Sequence, residues 1–226
     1  VYNQFFRGGT SKPMLKESVR LLSQSAIGIN TLRVDNWVTN IGAGHKLPTG
    51  VSFRNMIQRV TVLDGTDTLQ QTFGSTIPAF GGTGNPAQGN FSGLPGKLFA
   101  MVTRDNRTGQ SPSPNWLANE IVTDNRIPAG VTDTSIYKFR IGRHAQAQIH
   151  VQLIYRAVYK PWADTKGWDM REVIMADTLW NVTFDESVKE PLIFSLYQNY
   201  PNPFNGFTQI KYDLKSPQFV TLRIYN

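Results

Sequence analysis

Two segments, SIYKFRI (135–141) and IHVQLIYR (149–156), carry the clearest pattern in the sequence. In both, apolar side chains alternate with polar or charged ones. Successive side chains of a strand point to opposite faces of the sheet, so this period of two predicts strands with one face on a core. Because the connection between them is short, we expect an antiparallel hairpin with His144 in its turn.

The alternation extends outward along the chain in both directions. Period-two patterns also occur in residues 31–41, 51–63, 68–73, 173–175 and 178–184. The pattern is irregular around Met56 and Ile57, which predicts a β-bulge, and Asp64-Gly65 predicts a turn. About seven strands with short connections in about 170 residues predict a mainly β protein, an antiparallel β-sandwich of the Ig-like type.

The N-terminal part of the chain has a helical period instead. Leu15, Val19 and Leu22 recur at spacings of four and three residues. Pro13 suits the first turn of a helix, and Ser11 is a candidate N-cap. The pattern predicts one short helix between residues 11 and 25.

Residues 78–114 are dense in glycine and proline, and their apolar residues follow no period. The composition predicts a long loop held by isolated apolar anchors. Long loops inside compact domains often carry function, so we expect a partner-contact surface here. Its candidate contact residues are Phe80, Phe91, Leu94 and Phe99.

A change in composition at Lys189-Glu190-Pro191 separates the C-terminal part of the chain, where alternation resumes in residues 209–214 and 219–225. We therefore expect three parts, a helical lead-in (1–30), the β-sandwich domain (31–188) and a small C-terminal β module (189–226).

The overall composition excludes several classes of protein. The 226 residues are 40% hydrophobic and 17% charged, which argues against a wholly disordered chain. No apolar run approaches the roughly 20 residues of a transmembrane helix. The net charge is +7, but lysine and arginine are scattered singly, so we predict no nucleic-acid partner. The sequence begins with neither Met nor a signal peptide, and we expect it to be a piece of a longer product.

Catalytic and metal-binding motifs are also missing from the sequence. There is no cysteine, which excludes disulfides, thiol nucleophiles and covalent attachment of c-type haem. The sequence contains no GxSxG, HExxH, P-loop or dinucleotide-binding motif. The three histidines are too far apart in sequence to indicate a metal site. We therefore predict a protein that is not an enzyme and holds no metal of its own.

The segment LYQNYPNPFN (196–205) closely resembles the start of the type A C-terminal sorting domain of the type IX secretion system. Residues 208–214 and 220–226 follow the same family's pattern, although Gly206 stands where the family usually has proline. The sorting motif consists of Gln198, Asn199, Tyr200, Pro201, Asn202, Pro203, Phe204 and Asn205. The resemblance implies export by the type IX machinery to the cell surface or medium, and the sequence ends inside the module.

Four segments of the body resemble, in order, the cysteine-free β-rich region at the C-terminus of multihaem c-type cytochromes. They are NIGAGHKLPTG (40–50), DNRIPAG (124–130), VQLIYR (151–156) and DTKGW (164–168), and the resemblance covers roughly residues 31–177. It implies a β-rich region that lies beside haem groups.

This resemblance implies a scaffolding role in extracellular electron transfer. The chain binds no haem covalently, so any contact would be with haem c of a partner or of a missing part of the parent chain. His45 lies on a glycine-flanked loop and is the candidate axial ligand. A lone histidine in a turn is also a common structural residue, and that interpretation stays open.

Two other interpretations compete with the haem-associated one. The chain could be a self-assembling filament or surface-layer subunit, a homo-oligomer formed by strand donation. It could also be a carbohydrate or surface adhesion module, with Trp162 and Trp168 as an aromatic platform. Asp67-Thr68-Leu69 and Asp177-Thr178-Leu179 resemble a short O-glycosylation motif, which makes Thr68 and Thr178 candidate acceptors.

Overall fold

A computed structural model describes residues 11–117, 120–185, 194–203, 205–214 and 218–223. Two antiparallel sheets pack face to face, which confirms the predicted mainly β sandwich. The first sheet contains, in spatial order, β1 (Val19–Gly28), β2 (Thr31–Asn40), β8 (Thr132–Arg140) and β5 (Gln71–Phe73). The second contains β10 (Val173–Thr183), β9 (Gln146–Arg156), β3 (Asn55–Asp64), β6 (Gly96–Arg104) and β7 (Glu120–Asp124), with β4 (Asp67–Thr68) beside β3.

Short helices and a small separate sheet complete the described structure. The helices are α1 (Lys12–Glu17), α2 (Lys160–Lys166) and two 3-10 turns at Ala79–Gly81 and Pro86–Gln88. In the C-terminal part, β11 (Ser195–Leu196) pairs with β12 (Tyr212–Asp213). Within the described ranges, no helix is long and apolar enough to cross a membrane.

The buried apolar residues of the described structure form three clusters. One lies on the outer face of the second sheet, and the other two lie between the sheets. The outer cluster contains Ile57 and Ile154, which lie under residues 78–95 and α2. Strands β3 and β9 are therefore covered on both faces. This double burial explains why their sequences do not alternate strictly.

A buried polar row separates the two clusters that lie between the sheets. Ser23, Asn36 and Ser135 are cross-strand neighbours on β1, β2 and β8. From the facing sheet, Gln58 accepts a hydrogen bond from Ser135 Oγ at 2.8 Å. Both polar atoms of the Asn36 side chain are buried without a hydrogen-bond partner in the described structure.

The predicted helix between residues 11 and 25 is wrong beyond Glu17. Residues 19–28 form β1, which pairs with β2 through ten consecutive positions, so they belong to the sandwich and not to a helical lead-in. Val19 fits both periods, but Leu22 is 55% exposed while Leu21 packs on the core. Pairing with β2 outweighs the weak local helical preference.

The expected hairpin of residues 135–156 is also wrong. Its two strands, β8 and β9, lie in different sheets, and the short connection crosses from one sheet to the other. His144 lies in that connection, and its amide donates to Ile141 O at 3.0 Å.

The predicted bulge at Met56 and Ile57 does not occur. β3 pairs with β9 without interruption from Asn55 to Leu63. The irregular pattern arises because Ile57 points to the second buried face, under residues 78–95.

Residues 78–114 are not one long loop. They contain β6, a nine-residue strand of the second sheet, and only the segments on either side of it are irregular. The sequence pattern did not predict β6, because both of its faces are largely buried and its apolar residues therefore do not alternate with polar ones.

Candidate functional site

The loop of residues 40–50, called the His45 loop below, leaves the end of β2 and is held by Asn40. The Asn40 side chain is fully buried. Its Nδ2 donates to His45 O at 2.8 Å and to Ile127 O at 3.1 Å, and its Oδ1 accepts from Ala43 N at 3.1 Å. One side chain therefore fixes the loop and ties it to residues 124–130.

Residues 124–130 brace the His45 loop from the other side. The backbones of Leu47 and Ile127 exchange two hydrogen bonds of 2.8 Å. Asp124 accepts from Arg126 through two bonds of 2.8 Å and from Lys46 Nζ at 2.9 Å. The Arg126 guanidinium, with help from Lys46, holds the pKa of the Asp124 carboxyl well below its usual range. Two of the segments singled out from the sequence thus form one structure.

The loop also packs closely on α1. Ile41 N and Gly42 N donate to Ser18 O at 2.9 and 3.2 Å. A Cβ atom at Gly42 would lie 2.6 Å from Glu17 O, so this position requires glycine.

The imidazole of His45 is exposed at the tip of this braced loop. Its Nδ1 lies 3.2 Å from Lys46 O, and Nε2 has no hydrogen-bond partner among the described residues. A neutral imidazole with Nδ1–H bonded to a carbonyl leaves Nε2 as a free electron-pair donor, the state that a metal centre binds. The assignment of His45 as an axial ligand remains a prediction.

A half-open cavity of about 360 Å³ lies beside the His45 loop. Its wall is largely apolar and includes Met14, Met56 and Met175. Its polar side chains include His45, Arg54 and Tyr155, and no acidic residue lines it. Burial raises the pKa of the Tyr155 hydroxyl, so this group remains a proton donor at neutral pH.

The other two histidines are paired with carboxylates. His144 Nδ1 lies 3.2 Å from Asp64 Oδ2, and His150 Nε2 lies 2.6 Å from Asp177 Oδ1. Among the described residues, no group of three or more His, Asp or Glu side chains is placed to hold a metal ion.

A second candidate site is the aromatic cleft, defined by Trp116, Trp162 and Trp168. It has a volume of about 420 Å³, and Gln110, Thr165 and Lys166 add polar groups to its wall. Trp116 is 64% exposed, and Trp168 is also well exposed. The structure thus adds Trp116 to the predicted platform of Trp162 and Trp168.

The ring of Phe53 supports this cleft from below. It makes edge contacts with Trp116 and Trp162, with centroid distances of 6.4 and 6.0 Å. Sequence analysis missed Trp116 because it lies 46 residues before Trp162 in the chain. The only local signal was an aromatic residue next to prolines.

The predicted contact residues of the segment 78–114 are largely core residues. Phe99 and Phe91 are buried, and Phe80 and Leu94 are partly buried against the outer cluster. Phe80, Phe91 and Leu94 anchor the segment to the outer face of the second sheet, whereas Phe99 lies on β6 and packs between the two sheets. Burial therefore makes the predicted contact surface wrong for Phe91 and Phe99.

The candidate glycosylation residues differ in accessibility. Thr68 is exposed in β4, whereas Thr178 is half-buried in β10. Both assignments remain predictions.

The sorting motif lies largely within the described residues, with Phe204 outside them. Asn199 Nδ2 donates to Thr208 Oγ1 at 3.0 Å, and the backbones of Tyr200 and Gln209 exchange two bonds of 3.0 Å. Of the remaining motif residues, Pro201, Asn202, Pro203 and Asn205 lie between the two bridged residues in the sequence, and Gln198 precedes them. Its role in sorting remains a prediction.

No known family model matches the chain, and no curated protein is significantly similar to it. Among solved structures, the chain is similar to a penta-heme cytochrome c552 from Thermochromatium tepidum, with a TM-score of 0.58 and 19% sequence identity. The similarity covers 77% of this chain and 42% of the cytochrome chain. The chain therefore has a fold found in a multihaem cytochrome, and it spans less than half the length of that protein.

Proposed function

We propose that this chain is a secreted, noncatalytic β-sandwich module that packs against a haem-bearing module and supports extracellular electron transfer. The haem-bearing module would be a partner or another part of the parent chain. The shared fold with a penta-heme cytochrome supports this proposal, as does the sequence resemblance in residues 40–50 and 124–130. The chain lacks cysteine, so the thioether bonds to haem would belong to the haem-bearing module.

The observation that carries the proposal is the His45 loop. An exposed imidazole with a free Nε2 stands on a loop that Asn40 and residues 124–130 hold in place. Haem iron in c-type cytochromes takes histidine as an axial ligand, and a fixed imidazole loses little conformational entropy when it binds. The exposed loop edge and the apolar cavity beside it suit the flat, mostly apolar face of a haem.

The proposal can be tested with a haem peptide that has one open axial position. Titration with the purified chain should convert its absorption spectrum to the low-spin form, and His45→Ala should abolish the change. His150→Ala is the matched control, because His150 pairs with Asp177 on the face of a strand far from the loop. If His45→Ala keeps the low-spin change, His45 is not the ligand.

Secretion is the part of the proposal that rests on the C-terminal module. Tyr200 and Phe207 are strongly exposed there, which gives the sorting motif a recognisable surface. In cells that express the parent protein, replacing Asn199 and Tyr200 by alanine should retain the protein inside the cell envelope. Unchanged export to the surface or medium would contradict a sorting role.

Carbohydrate binding at the aromatic cleft is a second candidate function. Three tryptophans flank polar side chains there, and sugar rings stack on exposed indoles while their hydroxyls bond to polar neighbours. A glycan array with the native chain and Trp116→Ala would test it. A blank array with the native chain would exclude this function.

Self-assembly is a third candidate, favoured by two edge strands. β1 and β10 are outer strands of their sheets and lie together, since Trp180 Nε1 donates to Ser25 Oγ at 3.0 Å. Open edges of this length can accept a strand from a neighbouring chain. Monomers alone in sedimentation at high concentration would remove this option.

A further inference from the structure

We propose that the cavity beside the His45 loop binds the carboxylate of an apolar ligand through Arg54 and the Tyr155 hydroxyl. This inference rests on the cavity and its side chains, and it holds whether or not His45 binds haem iron.

Tyr155 supplies the first observation. The residue is 3% exposed and lines the cavity. Its hydroxyl is buried and has no hydrogen-bond partner among the described residues. Buried hydroxyls are normally bonded, and a ligand in the cavity that this residue lines would supply the missing acceptor.

Arg54 supplies the second observation. Its Nη1 donates to Thr49 O at 3.2 Å, and no carboxylate in the described structure forms an ion pair with it. A Cβ atom at Gly50 would lie 2.7 Å from Nη1, so glycine makes room for the guanidinium at this place. The remaining N–H groups of Arg54 are therefore free for an acceptor, and arginine binds carboxylates in a planar, two-point geometry.

The other residues of the cavity wall indicate the polarity and size of the rest of the ligand. Met14, Met56, Met175 and Leu15 give an apolar surface, and methionine side chains adapt to irregular ligands. A volume of about 360 Å³ is at the lower end of small-molecule sites. With a cation, a hydroxyl donor and no acidic residue, the cavity favours a small apolar acid over a neutral or cationic molecule.

Such a carboxylate has two sources, a free fatty acid or the propionate of a haem on the partner. The two are separated by calorimetry and absorbance with decanoate, with metal-free protoporphyrin and with its dimethyl ester. Decanol serves as the neutral control for decanoate.

We expect decanoate or the protoporphyrin acid to bind, and their neutral counterparts to bind at least about tenfold more weakly. Arg54→Gln and Tyr155→Phe should each weaken binding of the acid severalfold to about tenfold and leave binding of the neutral counterpart unchanged. Arg140→Gln, on the exposed face of β8, is the matched control and should bind like the native chain. Circular dichroism confirms that each variant is folded.

The pattern of binding identifies the source. Binding of decanoate assigns the site to a free acid, and binding of the porphyrin acid without decanoate assigns it to a propionate. The proposal is overturned if neither acid binds, if the neutral counterparts bind equally well, or if both variants bind like the native chain. Neither decanoate nor metal-free protoporphyrin contains iron, so failure of iron ligation and failure of this site are distinguishable.

Discussion

Asn36 and Asn40 on β2 are the same residue type and are equally buried, but their side chains have opposite roles. Asn36 and Asn40 both point inward from the same strand and are fully buried. Asn40 makes three hydrogen bonds that shape the His45 loop, whereas neither polar atom of Asn36 has a partner in the described structure. A buried polar group costs free energy unless it is hydrogen-bonded, so the two positions should respond oppositely to the same substitution.

We expect Asn36→Leu to raise the free energy of unfolding by about 1–2 kcal/mol, because it removes an unpaired amide from the buried row between the two core clusters. Asn40→Leu should lower it by about 2–4 kcal/mol, since Ala43 N and two carbonyls lose their partner. Urea denaturation of the two variants measures both changes. A destabilised Asn36→Leu variant would show that Asn36 is bonded in solution.

The Asp124 carboxylate should make stability depend on pH. Arg126 and Lys46 lower its pKa below the ordinary value of 3.8, so its contribution is complete above that value and is lost as the pH falls further. At pH 7 we expect Asp124→Asn to lose about 1–2 kcal/mol of stability. The difference from the native chain should shrink below about pH 4. Denaturation at pH 7, 5 and 3 tests this, and a constant difference would contradict it.

Two adjacent residues, Leu21 and Leu22, distinguish the observed strand β1 from the helix that the sequence predicts. In a helix, Leu22 would lie on the apolar face with Leu15 and Val19. In the observed strand, Leu21 packs on the core and Leu22 is exposed.

We therefore expect Leu21→Ser to cost about 2–3 kcal/mol of stability and Leu22→Ser to change it by less than about 0.5 kcal/mol. Thermal or urea unfolding of the two variants measures the difference. The reverse order would indicate that this segment is helical in solution.

The segment of residues 78–95 is fastened to the second sheet by a buried arginine. Arg156 donates to Gly81 O at 2.9 Å and to Gly89 O at 2.8 Å. Its Nε donates to Glu172 at 2.9 Å, and its Cζ lies 4.6 Å from the centre of the Phe91 ring. The guanidinium fork thus donates to two loop carbonyls while it stacks on the ring of Phe91, two residues after Gly89.

Lysine keeps the charge of Arg156 but cannot reproduce this fork. We expect Arg156→Lys to lower stability by about 2–4 kcal/mol and to speed amide hydrogen exchange in residues 79–93. Arg140→Lys, on an exposed strand face, is the control and should change neither. Unchanged exchange in residues 79–93 would show that other contacts hold the segment.

The boundary between the sandwich and the C-terminal module is testable by truncation. Among the described residues, Phe184 is the last buried one of the sandwich, and its amide donates to Ala145 O at 2.8 Å. The described part of the module holds its own two-residue strand pair and exposes many apolar side chains.

A chain that ends at residue 188 should therefore unfold cooperatively, within about 3 °C of the full chain. Calorimetry of both chains tests this boundary. A large loss of stability or of cooperativity would mean that the module forms part of the same core.

Much of the fold was predictable from the sequence because alternation records which side chains face a core. The pattern in residues 31–41, 135–141 and 149–156 fixed three strands and the sandwich class. The strands β3 and β6 were harder, because burial on both faces removes the alternation on which such predictions depend.

The sequence by itself determined the mainly β fold class, the absence of covalent haem attachment and the turn-forming character of residues 40–50 and 124–130. Only the tertiary structure decided which sheet each strand joins, that residues 19–28 pair with β2, and that Asn40 bonds Ile127 across 87 residues of chain. Local sequence sets which face of a segment is apolar, but partner choice depends on contacts between distant residues. The cavity of Arg54 and Tyr155 and the cleft completed by Trp116 are products of those distant contacts.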